Sequence, residues 1–360
     1  MNGWRALGVV ILSAAAVAVL PAQERPTGQG FSFRTGVALI NVSVTVTDEH
    51  GRFVPNLKAE DFVVYEDGQP QPIQQFDSDR VPVSLGIALD TSGSMLGEKI
   101  AAAQAALNRF LFDLLGKQDE IFLYRFDGRP ELVQGWTEDR QAVARALGSV
   151  RPTGGTAIYD TVAEAVPMAQ AGTKRKKALL VISDGNDTSS RTRPDALVQL
   201  IRQSEVLVYA IGIDASDSNG SGGSAPYSSA PPPRSAPSKP APVPSPFPGK
   251  APPAASTPPP PPGPVPSAPS TRKNTPAASD RVNVEALRRI TDDTGGRTEV
   301  IVSPRDLDPA TASIADELSR QYFLGYSSSA PKDGRWHTIE VRVPKKGNYT
   351  IRSRRGFIAS

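Results

Sequence analysis

The 360-residue sequence contains no cysteine. That excludes a disulfide framework, a thiolate-ligated zinc site, a thiol nucleophile and a lipoprotein anchor. Histidine is nearly as scarce: His50 and His337 are the only two, so chemistry built on several imidazoles has no basis here. An excess of one charge is also lacking. Forty Lys and Arg against 37 Asp and Glu leave a net charge of +3, too small to argue for a nucleic-acid partner. Beyond the first twenty residues no apolar run approaches the roughly 20 residues that a bilayer span needs.

Proline, by contrast, is in excess. The chain has 35, and 21 of them fall between Ser216 and Asp280. Runs such as Pro231-Pro232-Pro233 and Pro258–Pro262, mixed with Ser, Ala and Gly, cannot bury enough apolar surface to fold. The expectation is a disordered insert over 216–280, serving as a spacer or as a docking strip for proline-reading partners. Residues 1–22 read as an export signal. Arg5 supplies the positive start, Ala6–Leu20 is apolar apart from Gly8 and Ser13, and Pro21-Ala22 offers a small residue for cleavage. At helical rise that apolar run spans roughly 22 Å, short of the ~30 Å hydrocarbon core. A cleaved signal is therefore expected, with a periplasmic or extracellular destination and no stable membrane span afterwards. An uncleaved anchor is the alternative.

The folded remainder changes pattern along its length. Ile40–Thr47 alternates apolar and polar residues, the period of a half-buried strand, and Asp61–Tyr65 and Ile73–Phe76 suggest two more. At the far end, Ile339, Val341 and Val343 alternate with Glu340 and Arg342, and Tyr349–Phe357 follows a turn at Lys346-Gly347-Asn348. Neither end alone has enough strands to be stable in water. Residues 23–81 and 322–360 are therefore expected to pair into one small β-sandwich, interrupted by a domain at 82–321.

In that inserted domain, strand signals at Val83–Leu89, Ile121–Phe126, Ala178–Ser183 and Val206–Ile213 alternate with helical periodicity. The helical stretches are Ile100–Leu114, Asp139–Leu147, Ala157–Ala171 and Pro194–Gln203. Nearly continuous apolar runs mark strands buried on both faces. The fold class expected is α/β, with a doubly wound, mostly parallel sheet of Rossmann-like form. After the insert, Val282–Thr291 resumes a helix, Arg297–Val302 a last strand and Pro309–Gln321 a final helix.

In open α/β sheets, ligands bind beyond the carboxyl ends of the strands. The residues there are Asp90-Thr91-Ser92-Gly93-Ser94 after the first strand and Ser183-Asp184-Gly185 after a later one. Between them in the chain, Thr153-Gly154-Gly155-Thr156 precedes a helix, with Thr156 near its N-cap. Two carboxylates and three hydroxyls thus gather at one edge.

The pattern Asp90-x-Ser92-x-Ser94, then Thr156, then Asp184 resembles the metal-ion-dependent adhesion site of von Willebrand factor type A domains. The flanks resemble bacterial secreted proteins related to that family, through Thr47-Asp48, Asp61-Phe62, Glu66-Asp67-Gly68 and Tyr322–Tyr326. The resemblance implies that Ser92 and Ser94 ligate a cation directly and that Thr156 does so directly or through water. Asp90 and Asp184 would hold it largely through bridging waters. An all-oxygen set suits Mg²⁺ first, with Mn²⁺ or Ca²⁺ next. It further implies an adhesion-type role, in which a partner protein supplies a Glu or Asp carboxylate to the open position, and no enzymatic activity. The alternative is a metal-assisted hydrolase of phosphate or ester substrates, although no general base is evident in these loops. Lys174–Lys177 reads as a solvated loop, and both histidines as exposed surface.

Overall fold

The structure is a computed structural model that describes residues 38–214 and 282–359. The expected export signal and the proline-rich insert lie outside the described residues. Four strands open the described chain: β1 (Ala38–Thr47), β2 (Val63–Glu66), β3 (Gln69–Gln71) and β4 (Ile73–Asp77). Next come β5 (Val83–Asp90), α1 (Glu98–Arg109), β6 (Glu120–Phe126), β7 (Pro130–Thr137), α2 (Arg140–Ser149) and α3 (Ile158–Gln170). The domain continues with β8 (Lys176–Ser183), α4 (Pro194–Arg202), β9 (Leu207–Ile213), α5 (Val284–Thr291), β10 (Thr298–Ile301) and α6 (Leu307–Arg320). Four strands close it: β11 (Tyr322–Ser328), β12 (Trp336–Arg342), β13 (Thr350–Arg352) and β14 (Gly356–Ile358).

The central sheet runs β10-β9-β8-β5-β6-β7, parallel throughout except for the antiparallel edge strand β7. Its inner strands β5, β8 and β9 are apolar because helices cover both faces. Leu85, Ile87 and Leu89 of β5 pack in one apolar cluster with Ile100 and Leu107 of α1, Val143 of α2 and Ile314 of α6. Ala88 lies in the opposite cluster, with Val162 of α3, Leu197 of α4 and Leu287 of α5. Gly86 belongs to this second face, where any Cβ would run into the Phe122 ring. Strand–helix alternation thus gives a mixed α/β domain with helices on both sides of a largely parallel sheet.

The chain's two ends supply two four-stranded sheets, β13-β1-β11-β4 and β14-β12-β2-β3. β1 pairs antiparallel with β11 over Ala38↔Ser328 to Val44↔Tyr322, and β2 pairs with β12 over Val63↔Arg342 to Glu66↔Ile339. One apolar cluster draws on both sheets: Val42, Val44 and Tyr326 from the first, Val64, Val341 and Phe357 from the second.

Glu317 of α6 ties these sheets to the α/β domain. It accepts hydrogen bonds from Tyr209 Oη of β9 (2.8 Å), Arg297 Nε (3.1 Å) and Thr45 Oγ1 of β1 (3.3 Å), and it is ion-paired with Arg352 of β13.

Several expectations need correcting. Lys176 does not lie in a solvated loop: it starts β8, is 1% exposed, and donates from Nζ to the Leu318 carbonyl at 2.7 Å. His337 is not surface either. It is buried in β12, stacks on Phe357, and meets Asp67 through Nδ1 at 2.7 Å and Asp333 through Nε2 at 3.3 Å. Thr156 does stand near the N-cap of α3, as expected, directly before the capping residue Ala157. Three strands had no clear sequence signal. β3 is three residues long, and β7 contains Pro130 and Gly135 and is bulged against β6. β11 follows α6 after the single residue Gln321 and is apolar on both faces, so it lacks alternation.

Candidate functional site

The strand order reverses at β5, which has β6 on one side and β8 on the other. Such a reversal opens a crevice beyond the carboxyl ends of the adjacent strands. Asp90 is the last residue of β5, and the register pairs Leu89 with Ile182, so the Asp90 and Ser183-Asp184 segments leave the sheet side by side. Phe126 ends β6 next to them, and its carbonyl accepts from both Thr91 N (2.7 Å) and Thr91 Oγ1 (3.0 Å).

Three loops are pinned together there by backbone hydrogen bonds. Thr153 N donates to Thr91 O at 2.7 Å and Gly93 N to Gly154 O at 3.1 Å, joining the first loop to the second. Thr188 N and Ser189 N both donate to Thr156 O, at 2.8 and 3.0 Å, and Thr156 N donates to Thr188 Oγ1 at 3.0 Å, joining the second to the third. Gly154 sits at φ +71°, a left-handed conformation that glycine adopts without a Cβ penalty. It lets the second loop turn back over Gly93.

Side chains complete the arrangement. Asp90 is fully buried; one carboxylate oxygen accepts from Ser92 N at 2.8 Å and the other from Ser183 Oγ at 2.5 Å. Ser92 Oγ and Ser94 Oγ are 3.0 Å apart, and Ser94 Oγ donates to Asp184 Oδ1 at 2.8 Å. Asp184 Oδ2 is ion-paired with Lys99, whose side chain is 19% exposed while that of Asp184 is wholly buried. Thr156 Oγ1 lies 3.5 Å from where a Cβ on Gly185 would stand, which places its hydroxyl against the Asp184-Gly185 turn. Asp90, Ser92, Ser94 and Asp184 therefore form one hydrogen-bonded group, with Thr156 beside it. Ser94 is exposed and the others are buried, so the group opens to solvent at the first loop.

The electrostatics are those of a site short of positive charge. Burial pushes the Asp90 carboxyl up to about 6, and Asp184 adds to the shift, against hydrogen bonds from Ser183 and Ser92 that favour the charged form. Among the described residues, the hydrogen bonds to Asp90 come from neutral donors. Among the described residues, Lys99 supplies the ammonium on Asp184.

Sequence reasoning missed Lys99 and Thr188, and it named Ser183 at the strand end without its bond to Asp90. Lys99 did carry a signal: it is the second residue of α1, where the helix dipole disfavours a cation unless an anion faces it. Trp136 packs edge-on against Phe122 at 4.6 Å between centroids, consistent with a place in the core rather than in a binding groove.

Residues 85–186 match the family model for the von Willebrand factor type A domain. Over 133 residues the chain is 27% identical to inter-alpha-trypsin inhibitor heavy chain H4 of Sus scrofa, covering 34% of this chain and 14% of that protein. It is 28% identical over 137 residues to an uncharacterized protein of Synechocystis, covering 37% of this chain and 32% of the relative. The chain thus spans a small part of the curated relatives it matches. A solved structure described as von Willebrand factor type A from Catenulispora acidiphila is 12% identical, with 91% of this chain and 75% of that one covered at a TM-score of 0.44. The matched span includes Asp90, Ser92, Ser94, Thr156 and Asp184, most of β5 and all of β6 and β8, so it is over residues 85–186 that the chain matches the von Willebrand factor type A domain.

Proposed function

We propose that the crevice is a metal-ion-dependent adhesion site, and that the protein is exported and captures a partner protein through it. The observation that carries this reading is the convergence of three pinned loops on four hydrogen-bonded side chains, two of them carboxylates, with the Thr156 hydroxyl beside them. The donor set fits a hard divalent cation, Mg²⁺ first and Mn²⁺ or Ca²⁺ next, because every side-chain donor is oxygen and the buried Asp90 carboxylate is met by neutral hydrogen-bond donors.

In this reading Ser92, Ser94 and Thr156 present hydroxyl oxygens, while Asp90 and Asp184 supply negative charge behind them. When bound, the ion offers an electrophilic position to an external Glu or Asp carboxylate, since three of its five protein partners are neutral. Asp90 is held by Ser92 N and Ser183 Oγ, so its carboxylate is oriented before any ligand arrives. The exposed Ser94 leaves an approach from solvent. Binding is favoured over hydrolysis because, among the described residues, the amine at the site is Lys99, which is committed to Asp184 rather than free to act as a base.

The test is calorimetric titration of the wild type, Ser92→Ala and Thr156→Ala with Mg²⁺, Mn²⁺ and Ca²⁺, followed by chelator-sensitive pull-down of envelope or extracellular proteins. Heat and capture present in the wild type and lost in both variants, with folding intact by circular dichroism, is the expected result. No heat with any of the three ions refutes it. Metal-dependent turnover of phosphate or ester substrates would shift the reading to hydrolysis.

A further inference from the structure

We infer that Lys99 is a tethered counter-cation that competes with the metal ion for Asp184 and so sets the affinity of the adhesion site; this rests on the metal-site reading above. The Lys99 ammonium is ion-paired with Asp184 Oδ2, and the carboxylate is wholly buried. The other oxygen, Asp184 Oδ1, accepts from Ser94 Oγ, which in turn lies 3.0 Å from Ser92 Oγ. Both oxygens of Asp184 are therefore taken, one by a hydroxyl proton and one by a monovalent cation.

A divalent ion held by Ser92 and Ser94 would lie beside the carboxylate whose other oxygen carries that ammonium. Like charges at such range in a mostly buried pocket repel strongly. The ion and the ammonium could not share Asp184 without a penalty, so a bound ion would work against the Lys99 contact and against the hydrogen bond from Ser94 Oγ to Asp184. Helix geometry adds to the bias. Lys99 is the second residue of α1, where the dipole disfavours a positive side chain, so its position depends on the Asp184 carboxylate.

The connection to the chain is short. Ser94, Met95, Leu96, Gly97 and Glu98 are all that separate the Ser92-Gly93 turn from Lys99, and Gly97 caps α1 at φ +82°. Met95 is fully buried and anchors this segment, whereas Leu96 is 64% exposed and carries no such restraint. Release of Lys99 is thus felt first at the start of α1 and at Leu96, on the solvent side of the site.

The experiment compares Mg²⁺ and Mn²⁺ titrations of the wild type, Lys99→Met and Lys99→Arg, with an independent readout on the wild type. That readout is labelling by an amine-reactive reagent, followed at the Lys99 peptide by mass spectrometry with and without saturating Mg²⁺. Lys99→Met is expected to bind the ion tighter by about tenfold or more, because no charge need be displaced from the carboxylate. Lys99→Arg should stay near the wild type, and Lys99 labelling should rise when Mg²⁺ is added. Equal or weaker affinity in Lys99→Met, or labelling that Mg²⁺ leaves unchanged, overturns the inference while the metal site stands. If neither the wild type nor Lys99→Met binds either ion, the metal-site reading itself fails.

Discussion

Replacing Asp90 with Asn separates the stability of this fold from the demands of its site. Burial holds the Asp90 carboxyl at about 6 instead of 3.8. Between those values the folded chain carries a proton that the unfolded chain has lost, so stability falls as pH rises through the window. Above about pH 6 the full penalty applies, about 3 kcal/mol at 1.36 kcal/mol per pH unit. Asparagine has nearly the same shape. Its oxygen can keep the bond from Ser92 N, and its amide can donate to Ser183 Oγ. With a chelator at pH 7.5, Asp90→Asn should therefore be more stable than the wild type by up to about 3 kcal/mol, roughly 5–10 °C in Tm for a unit of this size. The gap should close below about pH 4. Mg²⁺ should raise only the wild type, nearly closing the gap with about 2.7 kcal/mol at 100 times Kd and reversing the order with about 4.1 kcal/mol at 1,000 times Kd. Differential scanning calorimetry with chelator and with Mg²⁺, at pH 7.5 and pH 4, reads all three effects. An Asp90→Asn protein no more stable than the wild type in chelator at pH 7.5, or a gap that persists on acidification, refutes the reasoning.

Three further outcomes are expected. Burial pulls the Lys176 ammonium down to about 7, with Arg80 adding to the effect, so below neutral pH the folded protein bears the whole penalty of a buried charge. Lys176→Met should gain a few kcal/mol in urea unfolding at pH 6, even after losing the bond to Leu318 O, and less at pH 10. Glu317→Ala leaves Arg297, Arg352 and Tyr209 without their common acceptor, and should lower stability by about 3–5 kcal/mol in urea, as for other broken buried ion pairs. The hydrogen bonds and charges of Asp67 and Asp333 hold the His337 imidazole above its usual 6.5. Its stabilising effect is therefore complete below pH 6.5 and lost as pH rises through the folded value, so His337→Gln should be more damaging at pH 5.5 than at pH 8.5 in thermal melts.

Much of the α/β domain was legible because it rests on local signals. Continuous apolar runs at β8 and β9 and three-to-four-residue periodicity in α1 and α3 follow from burial on two faces and on one stripe respectively. The short or bulged strands β3 and β7 were not legible, since Pro70, Pro130 and Gly135 run against strand propensity and only pairing with β2 and β6 recruits them. The spacing of Asp90, Ser92 and Ser94 needed no structure, because three such residues within five positions of a strand end must share one turn.

By itself the sequence determined which residue types reach the sheet edge and that a parallel, helix-covered sheet would carry them. Tertiary structure alone decided the rest: that β5 and β8 are neighbours and bring Asp184 to Ser94, that Thr156 backs onto the third loop, and that Lys99 faces Asp184. Those pairs are separated by tens of residues, and no local periodicity encodes which strands lie side by side. Burial was decided the same way. Lys176 and His337 read as polar surface along the chain, yet the packing of α6 against β8 and of β12 against the turn at Asp67 removes both from water.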